Sequence, residues 1–343
     1  MAIGTLQRDS AARPPVLRTA RLHDLDALLT LSLRGGSGLT NLPPDRSALE
    51  AKLTASDAAL AELEGPTGGA AVILVAEDHG EIVGTSCVFS RVGAEWPFCS
   101  YRLTRQASRS RAVERSRSQQ LLNLVHDFDG EAEVGGLFID PDRRGGGLGT
   151  LAARGRYMFI AAHRQWFGAR VIAELRGWQD ADGRSPVWEA IGRHFYAMDF
   201  VEADRTGALN GNQFIADLGP RYPLYVSLLP ADAQAVLGRP HDDGRPAFEM
   251  LLAEGFRAGD YVDIFDGGPT VVADIDAVRT VRSARQVTMT AVGPSAGAAL
   301  VAVGTGHDFR VACGPVDADG RVGAPLAEAL GIVEGETMLV AEL

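Results

Sequence analysis

The first ninety residues alternate between helical and strand-like spacing of apolar side chains. Residues 16–21 predict a short strand, and leucines at helical spacing in residues 23–33 predict an amphipathic helix after it. Residues 70–77 and 82–90 are apolar and rich in β-branched side chains, and the Asp-His-Gly sequence at 78–80 between them predicts a hairpin turn. The chain therefore begins with mixed α and β elements.

A strand, a glycine-rich loop and a helix follow one another in the middle of the chain. Residues 133–140 predict the strand, residues 148–166 the helix, and residues 171–175 the next strand. This order predicts a mixed α/β sheet with at least one right-handed crossover. Ser185-Pro186 predicts the start of a further helix, with the serine as its cap and the proline in its first turn.

Two further segments lack long periodic patterns. Residues 105–119 contain five arginines and four serines and predict a solvated loop or a mobile flap. Residues 261–343 contain many short β-like runs and predict a small β-rich extension. Because 343 residues exceed the usual limit of about 250–300 residues for one core, we expect two domains, or one domain with a large extension.

Charge and cysteine content exclude several classes of protein. The net charge, 33 − 44 = −11, disfavours partners such as nucleic acids and anionic membranes. Cys87, Cys99 and Cys313 are widely spaced and include no Cys-x-x-Cys pair, so neither a disulfide framework nor a cysteine zinc site is predicted. Residues 1–15 lack the pattern of a signal peptide, and no run of about 18 apolar residues follows. We therefore expect a cytoplasmic protein without a metal site.

The strongest chemical signal is the loop Arg144-Gly145-Gly146-Gly147-Leu148-Gly149, between the predicted strand and helix. It fits the R/Q-x-x-G-x-G/A pattern of GCN5-related N-acyltransferases. Glycine lets the backbone approach a pyrophosphate closely, and the N–H groups at a helix start carry partial positive charge. Arg143 and Arg144 can add charge-assisted hydrogen bonds. A P-loop and a Rossmann fingerprint both fail on their flanking residues, and a plain glycine turn is the alternative interpretation.

The acyltransferase pattern also directs attention to the strand before the loop. In such a fold, this strand and the strand after the helix splay apart and admit the pantetheine arm of CoA. Gly135-Gly136 would suit a β-bulge there. Backbone groups near Leu137 and Ile139 then become candidate partners of the pantetheine and the thioester, whereas the side chain of Leu137 fits a core role better.

Segments in order from about Leu17 to Arg282 resemble the arginine N-succinyltransferase family, within the GCN5-related superfamily. The resembling segments are GSGLTNLP at 36–43, GLFIDP at 136–141, AELRG at 173–177, SPVW at 185–188, FYAMDF at 195–200, PLYV at 223–226, residues 241–256, and YVDIFDGGP at 261–269. The resemblance implies a GCN5-related N-acyltransferase fold, a mixed sheet flanked by helices. We expect residues 1–15 to be a tail, residues 16–260 the acyltransferase region with the acceptor segments, and residues 261–343 the β-rich extension, in which residues 325–336 are reminiscent of double-psi-barrel elements.

The family implies transfer of succinyl from succinyl-CoA to the α-amino group of L-arginine, in arginine catabolism. Succinyl-CoA would be a co-substrate, with no tightly bound cofactor. The family's proton donor falls on His241 and its succinyl-CoA contact on Leu137. Pro240 precedes the histidine here, where relatives commonly have an aliphatic residue.

The chemistry of arginine favours acylation at the same nitrogen. The guanidinium, with a pKa above about 12, essentially never deprotonates, whereas an α-amino group near pKa ~8 can become a nucleophile. Histidine suits the proton transfer because its reference pKa of ~6.5 lies near working pH. His241 is therefore our candidate acid. Tyr196 is the runner-up, with core packing as its alternative role.

Candidate acceptor contacts are spread over several segments. Ser37, Thr40 and Asn41 lie where relatives cover the acceptor, and they either bind the substrate carboxylate or cap the loop. Glu174 either pairs with the substrate guanidinium or forms a structural salt bridge. The succinyl carboxylate needs a cation, and Arg102 and Arg176 both qualify.

Two other functions stay open from the sequence. The acceptor can be ornithine or another basic amino acid. Alternatively, the chain is a CoA-binding regulatory or partner subunit, since some members of the family occur as two related subunits; a homo-oligomer is also compatible. Cys87 and Cys99 have no adjacent base in the sequence, so we predict direct transfer in a ternary complex rather than an acyl-cysteine intermediate.

Overall fold

The computed structural model describes residues 13–35, 42–62, 68–69 and 71–343. The chain forms two compact units whose segments alternate along the sequence. Unit 1 comprises Met1–Arg91, Ala132–Val171 and Asp274–Leu343, and unit 2 comprises Val92–Glu131 and Ile172–Ala273. The predicted domain boundary after residue 260 divides the chain differently and stays a prediction.

Strands and helices alternate through both units. The strands in the described ranges are β1 Val16–Thr19, β2 Ala71–Asp78, β3 Glu81–Phe89, β4 Ser100–Ser110, β5 Arg115–Val125, β6 Ala132–Ile139, β7 Arg170–Glu174, β8 Leu224–Tyr225, β9 Arg257–Val262, β10 Pro269–Asp274, β11 Arg285–Thr288, β12 Ala291–Val292, β13 Ala299–Val303, β14 Arg310–Gly314, β15 Arg321–Val322 and β16 Thr337–Glu342. The α-helices there are α1 Leu25–Gly35, α2 Arg46–Ala61, α3 Leu148–Ala162, α4 Arg193–Tyr196, α5 Phe200–Asn210, α6 Gln213–Leu218, α7 Ala231–Val236, α8 Arg245–Ala253, α9 Arg279–Ser283 and α10 Ala324–Leu330. Within the described ranges, none of these helices is long and apolar enough to cross a membrane.

Unit 1 is built on an antiparallel sheet with the strand order β11-β16-β13-β14-β1-β2-β3-β6. The predicted hairpin is confirmed, because β2 and β3 pair across the turn from Asp78 to Glu81. Leucines of α1 and α2 pack with Ile73 of β2 in one buried cluster. In the helix α3, Leu148 and all residues from Leu151 to Ile160 are buried, so the helix forms part of the interior of this unit.

The C-terminal strands belong to the same sheet as the first strand of the chain. β14 pairs with β1, where Val311 lies opposite Leu17, and β13 pairs with both β14 and β16. β12 and β15 form a separate parallel pair. The predicted β content of residues 261–343 is confirmed, and their double-psi-barrel-like arrangement stays a prediction.

The strands of unit 2 follow the order β7-β10-β9-β4-β5-β8. Its core surrounds Trp188, Tyr101 and Ile215. The prediction of a loop over residues 105–119 is wrong, because β4 and β5 continue as a hairpin that pairs Ser110 with Arg115. The outer part of this hairpin has both faces in solvent. Backbone pairing rather than a buried face defines these strands, which is why their polar side chains carry no apolar alternation.

The helix predicted from Ser185-Pro186 is present, with a change of pitch inside it. The Ser185 hydroxyl accepts a hydrogen bond from the backbone N–H of Trp188 at 3.2 Å, which confirms the serine cap. The chain is π-helical over Trp188–Gly192 and continues as α4.

Candidate active site

The strand that precedes the glycine loop contains a β-bulge. The β3–β6 register shifts between Thr85 and Cys87, so that two residues of β6, Gly136 and Leu137, oppose one residue of β3. Gly136 has a φ of 56°, and a Cβ at this position would lie 2.7 Å from the Sγ of Cys87. Only glycine meets both constraints without a shift of its surroundings. The bulge predicted at Gly135-Gly136 is confirmed, and it leaves backbone groups near Leu137 outside the regular ladder.

The three glycines between β6 and α3 have left-handed backbone conformations. Gly145, Gly146 and Gly147 have φ values of 109°, 56° and 82°. Gly147 is the N-cap of α3, and within the described part of the chain no side chain caps this helix. The first turn therefore presents its N–H groups, and the positive end of the helix dipole, to a ligand. A Cβ at Gly149 would meet no described heavy atom within 4 Å, so the space beside the first turn is open.

The two arginines of the loop have different surroundings. Arg144 is exposed, and its Nε donates to the backbone carbonyl of Ile139 at 3.5 Å. Arg143 forms an ion pair with Glu81. Among the described residues Arg144 has no ion-pair partner, so its positive charge is the more available of the two to a phosphate.

A cleft of about 660 Å³ in unit 1 is lined in part by Arg143. Its walls include α1 and Asp140, and Arg34 in this wall pairs with Asp140. The glycines of the loop do not line it. We therefore place the candidate CoA-binding groups at the loop and the bulge, not in this cleft.

His241 lies in unit 2, at the start of the 3₁₀ turn Asp242–Gly244. Its backbone N–H donates to the carbonyl of Arg176 at 2.8 Å, and its Nδ1 accepts from the backbone N–H of Asp243 at 3.2 Å. An imidazole that accepts at Nδ1 carries its proton at Nε2 when neutral. Because the side chain is 22% exposed, this Nε2–H can donate to a ligand.

The predicted residues Glu174 and Arg176 lie at the end of β7, in the segment whose backbone His241 contacts. Glu174 accepts a hydrogen bond from the Thr270 hydroxyl at 3.2 Å. The Nη2 of the half-buried Arg176 donates to the Oε1 of Gln179. The structure thus brings His241, Arg176 and Glu174 into one region of unit 2.

A half-buried carboxyl group on α5 belongs to the same electrostatic environment. Burial and the negative charge of Asp263 raise the pKa of Asp204 to about 6, and the Arg176 guanidinium acts in the opposite direction. The sequence analysis missed Asp204, because only the fold shows that this carboxyl is partly buried and close to other charges.

Tyr196 occupies the core of unit 2. Its side chain is 4% exposed and stacks on Trp188 with a centroid distance of 5.4 Å. Its hydroxyl donates to the carbonyl of Ile215 at 3.5 Å. Burial raises the pKa of Tyr196, so this group favours the core-packing role over acid–base work at neutral pH.

The structure adds a base beside Cys99 that the sequence did not indicate. The Sγ of Cys99 lies 3.5 Å from the Nδ1 of His126. Burial nevertheless raises the pKa of this thiol to about 12, and that of Cys87 likewise to about 12. Neither thiol is an activated nucleophile, which agrees with direct transfer.

The other predicted contacts of the substrates are Ser37, Thr40, Asn41 and Arg102. Ser37, Thr40 and Asn41 lie outside the described residues. The Nη1 of Arg102 lies 3.3 Å from an Asp127 carboxylate oxygen, and its guanidinium lies 5.7 Å from the ring centroid of Tyr261.

Comparison with known proteins adds an independent line of evidence. Residues 15–280 match the family model "Arginine N-succinyltransferase beta subunit". The subunit beta of arginine N-succinyltransferase from Pseudomonas aeruginosa is 39% identical over 279 residues, 81% of this chain and 82% of that protein. Arginine N-succinyltransferase from Escherichia coli O139:H28 is 37% identical over 306 residues, 88% of this chain and 89% of that protein.

A solved structure extends the match to three dimensions. The structure titled as arginine/ornithine succinyltransferase subunit AI from Pseudomonas aeruginosa superposes with a TM-score of 0.87 and 31% identity, covering 96% of this chain and 99% of that chain. This match shows that the chain shares the fold of that succinyltransferase, a large sheet flanked by helices, as predicted. A bulged strand, an uncapped glycine-loop helix and a family match over most of the sequence agree with one another, and the chain belongs to the arginine N-succinyltransferase family.

Proposed function

We propose that this protein transfers the succinyl group of succinyl-CoA to the α-amino group of L-arginine, in the cytoplasm and without a metal ion. The observation that carries the proposal is the bulge at Gly136 followed by the uncapped glycine-loop helix, in a chain of this family. These are the two backbone devices that an acyl-CoA donor needs: one for its phosphates and one for its thioester.

The donor side of the reaction uses groups of unit 1. N–H groups of the glycine loop and the first turn of α3 bind the pyrophosphate, with support from Arg144. Gly145, Gly147 and Gly149 keep side chains out of this space. Backbone groups near Leu137 and Ile139 pair with the pantetheine and polarise the thioester carbonyl, whose oxygen becomes negative in the tetrahedral intermediate.

The acceptor attacks as a neutral amine. The α-ammonium group first loses a proton to solvent, and its nitrogen then attacks the thioester carbon. The tetrahedral intermediate loses a second proton from this nitrogen to solvent and collapses, so that the amide bond is complete, the C–S bond breaks and the CoA thiolate leaves. We assign His241 as the proton donor to this thiolate, acting as the imidazolium: the Asp243 carboxylate 3.6 Å from its Nδ1 stabilises the charged ring, which gives one proton to the sulfur and becomes neutral. Glu174 and Asp204 provide negative charge for a cationic acceptor in unit 2.

Ornithine is the second candidate acceptor. The solved relative is described as an arginine/ornithine succinyltransferase, and both amino acids join an α-amino group to a cationic side chain. A partner-dependent subunit is the further alternative, because a relative is named as subunit beta. The same assay separates all three.

The test measures CoA thiol release by the purified full-length chain, with succinyl-CoA or acetyl-CoA crossed with arginine, ornithine and lysine. We expect turnover with succinyl-CoA and arginine above all other pairs. His241→Gln should then lower kcat by roughly 100-fold or more, with little change in the Kd of succinyl-CoA. His23→Gln, at an exposed histidine of unit 1, is the matched control and should keep full activity.

Each outcome has a definite meaning. If the enzyme turns over ornithine in preference to arginine, ornithine replaces arginine as the proposed acceptor. Saturable binding of succinyl-CoA without turnover of any acceptor would reject the proposed activity of the isolated chain and favour a partner-dependent subunit, of the same or a related chain. A His241→Gln enzyme with unchanged kcat would remove His241 as the proton donor.

A further inference from the structure

A buried arginine in α3 has no carboxylate partner. Arg156 is 4% exposed, its Nε donates to the carbonyl of Ala153 at 3.1 Å, and its Nη1 donates to the carbonyl of Gly135 at 3.4 Å. Among the described residues it forms no ion pair: its guanidinium lies 5.7 Å from the ring centroid of Tyr157, and Glu133 acts on its pKa through charge alone. A guanidinium has five N–H donors, so these two carbonyls leave donors unused, including both on Nη2.

The neighbouring Arg154 has the contacts expected of an arginine with a structural role. It is 7% exposed, its Nε donates to the Thr280 hydroxyl at 2.9 Å, and its Nη2 donates to the carbonyl of Glu342 at 2.6 Å. Arg154 thereby connects α3 to the C-terminal segment of unit 1. Arg156 reaches another element through one hydrogen bond only, to Gly135 of β6, since its other acceptor lies in its own turn of helix.

Burial of Arg156 without a counter-charge is unfavourable for the folded protein. Desolvation lowers the pKa of Arg156, although the group stays protonated at neutral pH. Buried charges in proteins are normally paired, because an isolated one loses its hydration without compensation. A bound anion would supply the missing partner.

The position of Arg156 relates it to the donor groups of unit 1. It lies 156 − 148 = 8 residues beyond the start of α3, or about 12 Å along the helix at 1.5 Å per residue. Its hydrogen bond to Gly135 places the guanidinium beside the residue that precedes the bulge at Gly136. The proposed phosphate-binding turn lies at the start of α3, and Arg156 lies about two helical turns further along. At that position Arg156 contacts the residue before the bulge.

We propose that Arg156 binds the distal carboxylate of the succinyl group and thereby selects a dicarboxylic acyl donor. This inference rests on the proposed function, in which the thioester lies at the backbone near Leu137. From that thioester the succinyl chain continues through two methylene groups to its carboxylate. This chain brings the succinyl carboxylate to the buried Arg156 guanidinium near the bulge. An acyl chain without a carboxylate would leave this guanidinium unpaired.

The cations considered from the sequence are less suited to this role. Arg102 is already paired with the Asp127 carboxylate. Arg176 donates to Gln179 and interacts with Asp204. Arg156 alone among these three lacks a side-chain acceptor in the described structure.

The test compares succinyl-CoA with butyryl-CoA, which has the same chain length and a methyl group in place of the carboxylate. For each donor, kcat/KM with arginine is measured in the wild type, Arg156→Met and Arg156→Lys, and the Kd of both esters is measured by calorimetry. Arg111→Met is the matched control, since it removes an arginine charge from the exposed turn of the β4–β5 hairpin.

We expect Arg156→Met to lose about 100-fold in kcat/KM for succinyl-CoA through KM, while butyryl-CoA is used as well as before or better. The donor preference then inverts, a gain that general destabilisation cannot produce. Arg156→Lys keeps the charge without the fork-shaped donor set, so its succinyl preference should fall by roughly tenfold. This variant decides the question if Arg156→Met does not fold.

An unchanged ratio of succinyl-CoA to butyryl-CoA in the folded Arg156 variants overturns the inference. That failure differs from failure of the proposed function, in which the wild type itself turns over no succinyl-CoA. A loss of equal size in Arg111→Met would assign the effect to overall charge and would also reject the role of Arg156.

Discussion

The carboxyl group of Asp204 shows how one residue links burial to pH-dependent stability. Its pKa of about 6 in the folded protein lies above the ordinary value of 3.8, because burial and Asp263 oppose its negative charge. The folded state therefore holds this proton more tightly than the unfolded state does. The stability that this site contributes is present below about pH 4 and is lost as the pH rises through about 6.

Asp204→Asn should consequently stabilise the protein at high pH only. Asparagine resembles the protonated carboxyl, so the variant does not lose stability when the pH rises through 6. Relative to the wild type, its free energy of unfolding should be higher by on the order of 1–2 kcal/mol at pH 7.5 and nearly equal at pH 3.5. Urea unfolding at the two pH values measures this. Asp182→Asn, in an exposed turn, is the control. Equal gains at both pH values would contradict the assignment.

Single residues also show where sequence reasoning reaches its limit. His241 and the glycines of the loop can be found from the sequence, because motif and family resemblance fix their positions. Arg156 and Asp204 cannot, since an arginine in a helix and an aspartate in a helix are ordinary until the fold buries them. Their chemistry depends on which carbonyls and charges lie nearby, and distant segments supply these.

At the scale of elements, apolar pattern predicts well only the elements that bury a face. The strand predicted at 133–140 and the helix predicted from 148 correspond to β6 and α3, which are both packed in unit 1. The hairpin β4–β5 escaped prediction over residues 105–119 because its outer part has solvent on both faces. Its existence depends on cross-strand hydrogen bonds, which leave no trace in hydrophobic periodicity.

A substitution at the bulge in β6 tests whether this bulge positions the thioester of succinyl-CoA. Gly136→Ala introduces a Cβ where φ is 56° and where the buried Cys87 Sγ lies 2.7 Å away. We expect about 1 kcal/mol of backbone strain, together with a shift of the bulge that lowers kcat/KM for succinyl-CoA at least tenfold. Steady-state kinetics and urea unfolding measure the two effects separately.

Gly130→Ala is the matched control for this element. Gly130 also has a left-handed φ, 83°, but a Cβ there would meet no described atom within 4 Å. It should therefore show the strain without the kinetic loss. If both alanine variants keep wild-type kcat/KM, the bulge does not position the thioester.

At the scale of the molecule, the C-terminal segment is an integral part of unit 1. β14 pairs with β1, Phe309 packs against Phe159 of α3 with a centroid distance of 5.1 Å, and the Gly306 N–H donates to His163 at 2.8 Å. Sequence resemblance fades after about Arg282, which made residues beyond it look separable. The pairing of strands from the two ends of the chain is a non-local contact, so the local sequence pattern does not predict it.

Removal of residues 285–343 should therefore abolish folding of unit 1 rather than trim an appendage. The truncation uncovers apolar side chains that β13 and β14 bury, at about 1.5–3 kcal/mol each, against a total stability of about 5–15 kcal/mol for a typical domain. We expect the chain 1–284 to show no cooperative urea transition of unit 1 by circular dichroism and no succinyl-CoA binding. Co-expression of residues 285–343 as a separate chain should restore both, and a scrambled segment of the same composition should restore neither. A chain 1–284 that unfolds cooperatively and binds succinyl-CoA like the full-length protein would instead establish the segment as an independent extension.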